Sequence, residues 1–361
     1  MLTLTFTGDV RFRLRPGGPG PDQMQFAPEI VDALRRSDYA VFNIEGPITE
    51  APPQKTLGAI VQNSPTFLPV LERLHCSVFN LANNHIFDHG LQGYRDTIAA
   101  ARRCGWQWLG AGENLDEASA PLVLHGEDVS VGLISVCHQE GPIAGPSSPG
   151  VFCHTMTQLI RHRIQALKQQ CDHVGVVYHG GEEIHRLPTP SRRKRLIGYV
   201  NAGADFVVAH HAHVVQGYEH VGGKPVFYGL GDFAFDYDFS TPDPAVNESV
   251  LLTMRFEKGQ EPKFETVFTC HDRAGGHIQK IAANAWFRRI SAEQYAADYG
   301  SYARQVFRQW MAIADNPRPS LLRRLRRMAS GFRNPYQRQL IIAGVRRAMR
   351  ELLHGSKTQP P

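Results

Sequence analysis

The chain has 361 residues, 42% hydrophobic and 20% charged, which are the proportions of an ordinary folded protein and exclude a disordered one. No apolar run approaches the ~20 residues of a membrane span, and Met1-Leu-Thr-Leu-Thr-Phe-Thr-Gly-Asp9 has neither the basic start nor the apolar middle of a signal peptide. The net charge of +5 is uneven: 11 of the 39 Lys/Arg but one of the 34 acids lie from Arg318 onward, so an acidic body carries a basic tail.

In chain order, LTLTFTGDV is a short apolar strand ending in Gly8-Asp9, and PGGPGPDQ is a loop. PEIVDALRRSD has helical spacing and YAVFNIE reads as a strand. PTFLPVLERLH is helical, CSVFNLANN is a strand, and GLQGYRDTIAAARRCG is an amphipathic helix with a late glycine stop. WQWLGAG, APLVLHG and VSVGLISVC read as strands, followed by the helix TMTQLIRHRIQALKQQ. CDHVGVVYHGGEE is a strand that ends in polar residues. The helix SRRKRLIGYVNAG and the strand ADFVVAHHAHVVQGYE repeat that plan, and KPVFYGLGDFAFD is the next strand and loop. ESVLLTMRFE and PKFETVFTC alternate as the arms of a β-hairpin. From about residue 284 the text turns helical and aromatic, and after NPRPS it becomes two basic amphipathic helices. The expected organisation is an α/β catalytic domain over 1–280 and a basic helical region over 281–361. Six cysteines at 76, 104, 137, 153, 171 and 270 form no CxxC and no paired spacing, which points to reduced thiols in a cytosolic protein.

Five of these strands run into Asp, Glu, Asn or His: at Asp9, at Asn43 and Glu45, at Asn83-Asn84-His85, at His179, and at His210, His211 and His213. Ligand sites of open α/β sheets gather at the carboxyl ends of strands. One polar strand end is noise; five rich in metal-ligand types point to a single convergent site. In an extended segment His211 and His213 lie on one face and can share a metal, with His210 on the other, structural or turned to substrate. Read singly, they are also two histidines of a surface loop. Asp9 and Glu45 are hard carboxylates suited to divalent cations, although Asp9 after Gly8 reads equally as a turn residue. Glu183, beyond the Gly180-Gly181 pair that follows His179, can orient a histidine or meet substrate. Asn84 offers a neutral ligand oxygen, and His85 beside it suits a general acid. Asp88 can accept the His85 N–H and raise its pKa, cap the following helix, or do both.

The ordered set Gly8-Asp9, Asn43-Ile-Glu45-Gly-Pro, Asn83-Asn84-His85-x-x-Asp88-x-Gly90, His179-x-Gly181-x-Glu183, His210-His211-x-His213 and Gly231-Asp232-Phe resembles the CapA-type, poly-γ-glutamate capsule biosynthesis proteins of the calcineurin-like metallophosphatase superfamily. The similarity runs from about residue 3 to 240. It implies a four-layer αββα metallophosphatase-like sandwich, here with a C-terminal helical appendage. It implies Asp9, Glu45, Asn84, His179, His211 and His213 as ligands of two divalent ions (Mn, Fe or Zn). His85 becomes the catalytic histidine, helped by Asp88, with Glu183, His210, Asn43 and Asp232 on the substrate. The chain departs from the superfamily pattern: Arg11 stands where Asp-x-His has its histidine, Glu45 where the bridging Asp is usual, Gly180 for a Trp, Ala212 for a Pro, and Asp232 for an Asn.

The implied function is a metal-dependent enzyme of capsule, polysaccharide or polyglutamate-type polymer metabolism. It would hydrolyse or transfer a phosphoester or amide group with a metal-activated hydroxide. The alternative is a non-hydrolytic enzyme or assembly factor of polymer synthesis, amide-forming or glycan-tailoring; a nucleic-acid phosphodiesterase comes last. The expected partner is a polymer or glycan-linked substrate. The expected location is cytoplasmic, with peripheral contact at the inner membrane surface through the basic C-terminal helices, whose Arg–Leu interleaving also suits packing on the body.

Overall fold

The computed structural model describes residues 1–14, 16–56, 58–138, 140–235 and 244–314. The first strand, Leu2–Arg11, alternates apolar and polar residues, and both of its faces are buried. Leu2, Leu4 and Phe6 face one core; on the other side Thr5 hydroxyl meets Thr253 hydroxyl at 2.7 Å. A strand buried on both faces belongs at the centre of a sheet. Its neighbours are Tyr39–Ile44, parallel, and Glu248–Phe256, antiparallel.

The larger sheet runs in the order Gln25–Phe26, His277–Lys280, Lys263–Asp272, Glu248–Phe256, Leu2–Arg11, Tyr39–Ile44, Cys76–Asn80, Gln107–Leu109, with Asp232–Phe235 paired parallel to the end of Leu2–Arg11. The smaller runs Tyr218–Val221, Lys224–Phe227, Phe206–His210, His173–His179, Ser130–Cys137, Leu122–His125. The predicted hairpin is present as Glu248–Phe256 against Lys263–Asp272.

Three cores separate four layers. Helices Pro28–Arg35, Leu68–Arg73 and Gly90–Cys104 pack on the outer face of the larger sheet through Leu34, Leu71 and Ile98. Phe6, Val41, Val78, Leu133, Val177, Phe206 and Phe227 fill the space between the sheets. Helices Thr157–Lys168 and Pro190–Asn201 cover the outer face of the smaller sheet through Ile164 and Leu196. The order is therefore αββα, the layering the resemblance implied. Parallel strands of both sheets bring their carboxyl ends to one edge, the geometry that favours a ligand site.

The last described helix, Ala292–Ala314, starts later than the sequence pattern suggested. Its Tyr295 and Tyr299 pack with Leu187 and Ile290, and Tyr295 hydroxyl donates to the Pro188 carbonyl at 2.7 Å. The two basic helices expected beyond it lie outside the described residues. No helix among the described residues is long and apolar enough to cross a membrane.

Phe206 ties the sheets together. It is fully buried, with its ring 6.1 Å from Phe6 and 5.2 Å from Phe256. Gly175 leaves room for it, since a Cβ there would meet the ring at 2.1 Å. Phe206→Ala is expected to cost about 3–5 kcal/mol, the range for truncating a buried aromatic, read as a lowered urea midpoint at unchanged slope.

Candidate metal centre

The site starts with two Gly-Asp pairs. A Cβ on Gly8 would lie 2.2 Å from the Gly231 carbonyl oxygen, so only glycine lets the chain pass there. Asp9 N–H donates to that same carbonyl at 2.8 Å, and Asp9 and Asp232 sit in register on parallel strands. Both carboxylates are 1% exposed. Asp9 Oδ1 accepts from the Asn43 amide at 2.7 Å, and its Oδ2 accepts the His211 backbone N–H at 3.1 Å. One carboxylate thus links the ends of both sheets.

The smaller sheet supplies the imidazoles. His179 ends its strand, and its Nε2 lies 3.0 Å from Asn84 Oδ1 and 3.1 Å from His211 Nδ1. One hydrogen cannot satisfy both neighbours. Glu45, His179 and His211 form one potential ligand group; Asp9, His213 and Asp232 form another. Glu183 joins His211 and His213 in a third, with its carboxylate 3.7 Å from His211 Nε2. His213 Nδ1 is 2.8 Å from Asp232 and 3.5 Å from Asp9. Glu45 Oε1 stands between His85 Nε2, at 3.7 Å, and His213 Nε2, at 3.9 Å, while its Oε2 is buried with no hydrogen-bond partner.

His211 and His213 converge for a different reason from the one their spacing suggested. The strand stops at His210, and both residues take positive φ, 82° and 54°. They reach the cluster through a left-handed turn, not along one face of an extended segment. Arg192, fully buried, braces that turn: its Nη2 donates to the carbonyls of His210, at 3.3 Å, and Tyr228, at 2.6 Å.

The charges have a common sign. Burial pushes the Glu45 carboxyl well above the usual range. Burial raises Asp232 to about 6 even though His213 pulls it down. Burial opposes charge on His213, but Asp232, Glu45 and Asp9 outweigh it and raise its pKa well above normal. His179 and His211 are driven well below normal, first by burial. The cluster thus sets buried carboxylates, short of positive charge, beside two imidazoles, His179 and His211, held neutral. A divalent cation supplies that charge, and carboxylate, carboxamide and imidazole together fit Mn, Fe or Zn. The residues present therefore fit a metal.

At the edge stands His85. Its Nδ1 is 2.6 Å from Asp88 Oδ2 and 3.3 Å from Lys55 Nζ, and Lys55 also reaches Asp88 Oδ1 at 3.1 Å. Asp88 was expected to raise the pKa of His85; it does act that way, but burial wins and the net shift is downward. Asp88 also accepts the Val61 N–H at 2.9 Å, while the side chain of His89, the residue preceding the helix, makes no cap.

Of the residues expected on the substrate, Glu183 is at the open rim, with a side chain 53% exposed. Three others are buried. Asn43 is 1% exposed, and its amide nitrogen faces Asp9 at 2.7 Å and His179 Nδ1 at 3.2 Å, so it is engaged within the cluster. His210 is 3% exposed, with Nδ1 3.3 Å from Asp9. Asp232 lies inside the ligand cluster. Arg11, where the resemblance implies a histidine, turns its Nε to the Gln62 carbonyl at 3.4 Å. Sequence reasoning passed over Lys55 and Glu140. Glu140 had a signal: strand Ser130–Cys137 runs into His138-Gln-Glu140, a sixth polar strand end, and Glu140 lies 3.8 Å from His211. Lys55, alone in a loop, had none.

Residues 3–237 match the family described as bacterial capsule synthesis protein PGA_cap. The chain is 28% identical over 253 residues to the PGA biosynthesis protein CapA of Bacillus subtilis, covering 68% of this chain and 65% of that protein. It is 29% identical over 234 residues to the capsule biosynthesis protein CapA of Bacillus anthracis, covering 59% and 54% respectively. It therefore spans less than two-thirds of the length of either relative. A solved structure of a phosphatase from Mycoplasma pneumoniae is similar at 11% identity, covering 76% of this chain and 95% of that one, with a TM-score of 0.44. With its ordered motifs inside a match that takes in most of its length, the chain belongs to the bacterial capsule synthesis protein PGA_cap family.

Proposed function

We propose that this protein is a divalent-metal-dependent enzyme that cleaves or transfers a phosphoester or amide group in the metabolism of a capsule-type polymer. The observation that carries the reading is the convergence of Asp9, Glu45, Asn84, His179, His211 and His213 from both sheets, with His85 beside them at the rim. The names of the relatives, which concern capsule and PGA biosynthesis, support a polymer context.

Asp9, Glu45, Asn84, His179, His211 and His213 would hold the metal, which supplies Lewis acidity and a lowered pKa for bound water. The chain's own groups do the rest. Asp88 can only accept a hydrogen bond in its ionised form, so its 2.6 Å contact fixes the proton of neutral His85 on Nδ1. Nε2 is then the free end, facing Glu45 and the rim, and is the atom that exchanges a proton at the reacting bond. Lys55, 28% exposed in its side chain, and Glu140 and Glu183, 39% and 53% exposed, line the mouth with both signs of charge. That rim suits a substrate bearing anionic and cationic or hydrogen-bonding groups together.

The test loads the full chain with Mn2+, Fe2+ or Zn2+ and assays a phosphomonoester, a phosphodiester and a γ-glutamyl amide. Turnover is expected for one of the three classes. His85→Ala is expected to lower kcat by roughly 10²–10⁴-fold with metal content unchanged. Bound metal without turnover on any class would leave the non-hydrolytic, polymer-assembling role as the reading to pursue.

Metal binding must displace the protons that Asp232, at about 6, and His213 hold. Asp232 is protonated below about pH 6, and His213, raised well above its ordinary value, holds its proton beyond that, so both compete with the cation in acid. The rise in Tm caused by Mn2+ is therefore expected to be small at pH 5 and larger at pH 7.5. An equal rise at both values would contradict the assigned ligands.

A further inference from the structure

We propose that Asp232 is itself a metal ligand, completing with Asp9 and His213 an oxygen-rich cation site that favours a hard ion such as Mn2+. The proposal rests on the reading above that the cluster binds divalent metal. It assigns to Asp232 the coordination that Arg11 does not supply.

The first support is the backbone. Gly8-Asp9 and Gly231-Asp232 form matching pairs on neighbouring parallel strands. The absent Cβ atoms of Gly8 and Gly231 let the strands close, since a Cβ on Gly231 would lie 2.2 Å from the Glu248 carbonyl oxygen. The fold thus sets two carboxylates side by side in a buried position, an arrangement that costs free energy unless a cation lies between them.

The second support is the spacing of donor atoms. Ligands about 2.1 Å from a metal in octahedral geometry stand about 3 Å from one another. His213 Nδ1 lies 2.8 Å from Asp232 Oδ1 and 3.5 Å from Asp9 Oδ2. Two atoms of the group also lack hydrogen bonds while buried: Asp232 Oδ2, and His210 Nδ1, which stands 3.3 Å from Asp9 Oδ1. Arg273 Nη2 stands 3.6 Å from Asp232 and donates to the Val246 carbonyl at 2.8 Å.

The third support is contrast. The neighbouring group pairs two imidazoles, His179 and His211, with Glu45 and the Asn84 oxygen. Nitrogen-rich sets suit Zn2+ and Fe2+; a set of two carboxylates and one imidazole suits Mn2+. The two halves of the centre are therefore chemically unequal. The competing account is that Asp232 only orients His213, as a carboxylate hydrogen-bonded to a ligand histidine does.

The two accounts separate by magnitude and by ion. Removing an orienting carboxylate costs roughly 10–100-fold in metal affinity. Full-length protein stripped with chelator is titrated with Mn2+, followed by calorimetry and by the Mn2+ electron paramagnetic resonance signal. The wild type is expected to take two equivalents. Asp232→Asn is expected to keep one and to weaken the other by more than about 100-fold, beyond the range of an orienter. Asp232→His is expected to restore the second equivalent for Zn2+ but not for Mn2+. Asn84→Ala is expected to remove the opposite equivalent, and the Tm of each stripped variant checks folding. Two Mn2+ equivalents in Asp232→Asn, the weaker within about 100-fold of wild type, would overturn the proposal and leave the metal-dependent reading intact. No divalent ion bound by the wild type would overturn both.

Discussion

The Asp9 carboxylate is the joint on which the site depends. A buried carboxylate is costly unless each oxygen has a partner. Here one oxygen takes the Asn43 amide from the larger sheet and the other takes the His211 backbone N–H from the smaller. Those two bonds fix the distance between the carboxyl edges of the sheets. They also hold His211 in the left-handed conformation that turns its ring toward His179. Remove Asp9 and the sheets still share their apolar core, but the turn loses its anchor.

Around that joint the fold builds a gradient of solvation. Asp9, Glu45, Asp232, His179, His211 and His213 are almost wholly buried, His85 less so, and Lys55, Glu140 and Glu183 reach solvent. Low dielectric at the bottom makes each charge strong and keeps His179 and His211 neutral, which is the form that can donate a lone pair. Higher dielectric at the rim lets charged groups stay mobile for a substrate. Arg192 supports the arrangement from behind: its Nη2 donates to the carbonyls of His210 and Tyr228, and its Nη1 donates to the Gln216 side-chain carbonyl at 3.0 Å.

The layers and the convergence of strand ends were legible in the sequence. A polar residue at the end of a buried strand needs a partner, and several such ends in one α/β chain can find partners in each other. The roles within the cluster were less legible. Asn43 read as a substrate contact because its position shows in sequence but the Asp9 and His179 on either side of it do not. Asp232 read the same way because its parallel pairing with Asp9 joins segments more than two hundred residues apart. His211 and His213 meet the cluster by a different route from the one alternation suggests, since alternation predicts shared faces only while the strand continues. Lys55 was invisible: a lysine in a proline-rich loop carries no pattern, and its value comes from the loop packing over His85 and Asp88.

The strand Leu2–Arg11 leads to a different kind of consequence. It lies at the centre of its sheet, and one of its two long neighbours is Glu248–Phe256, which falls outside the segment matched to the family. On a ribosome this strand emerges well before Glu248–Phe256 and waits through the synthesis of the strands between them before that flank is covered. Its edge is ten residues long and partly apolar, the type that recruits foreign strands when left open. Closure across so many residues is also slow compared with local pairing. The edge that carries the polar cluster is therefore among the last parts of the chain to take shape. Folding yield should be limited by protection of one exposed strand during synthesis rather than by the chemistry of the site it later carries.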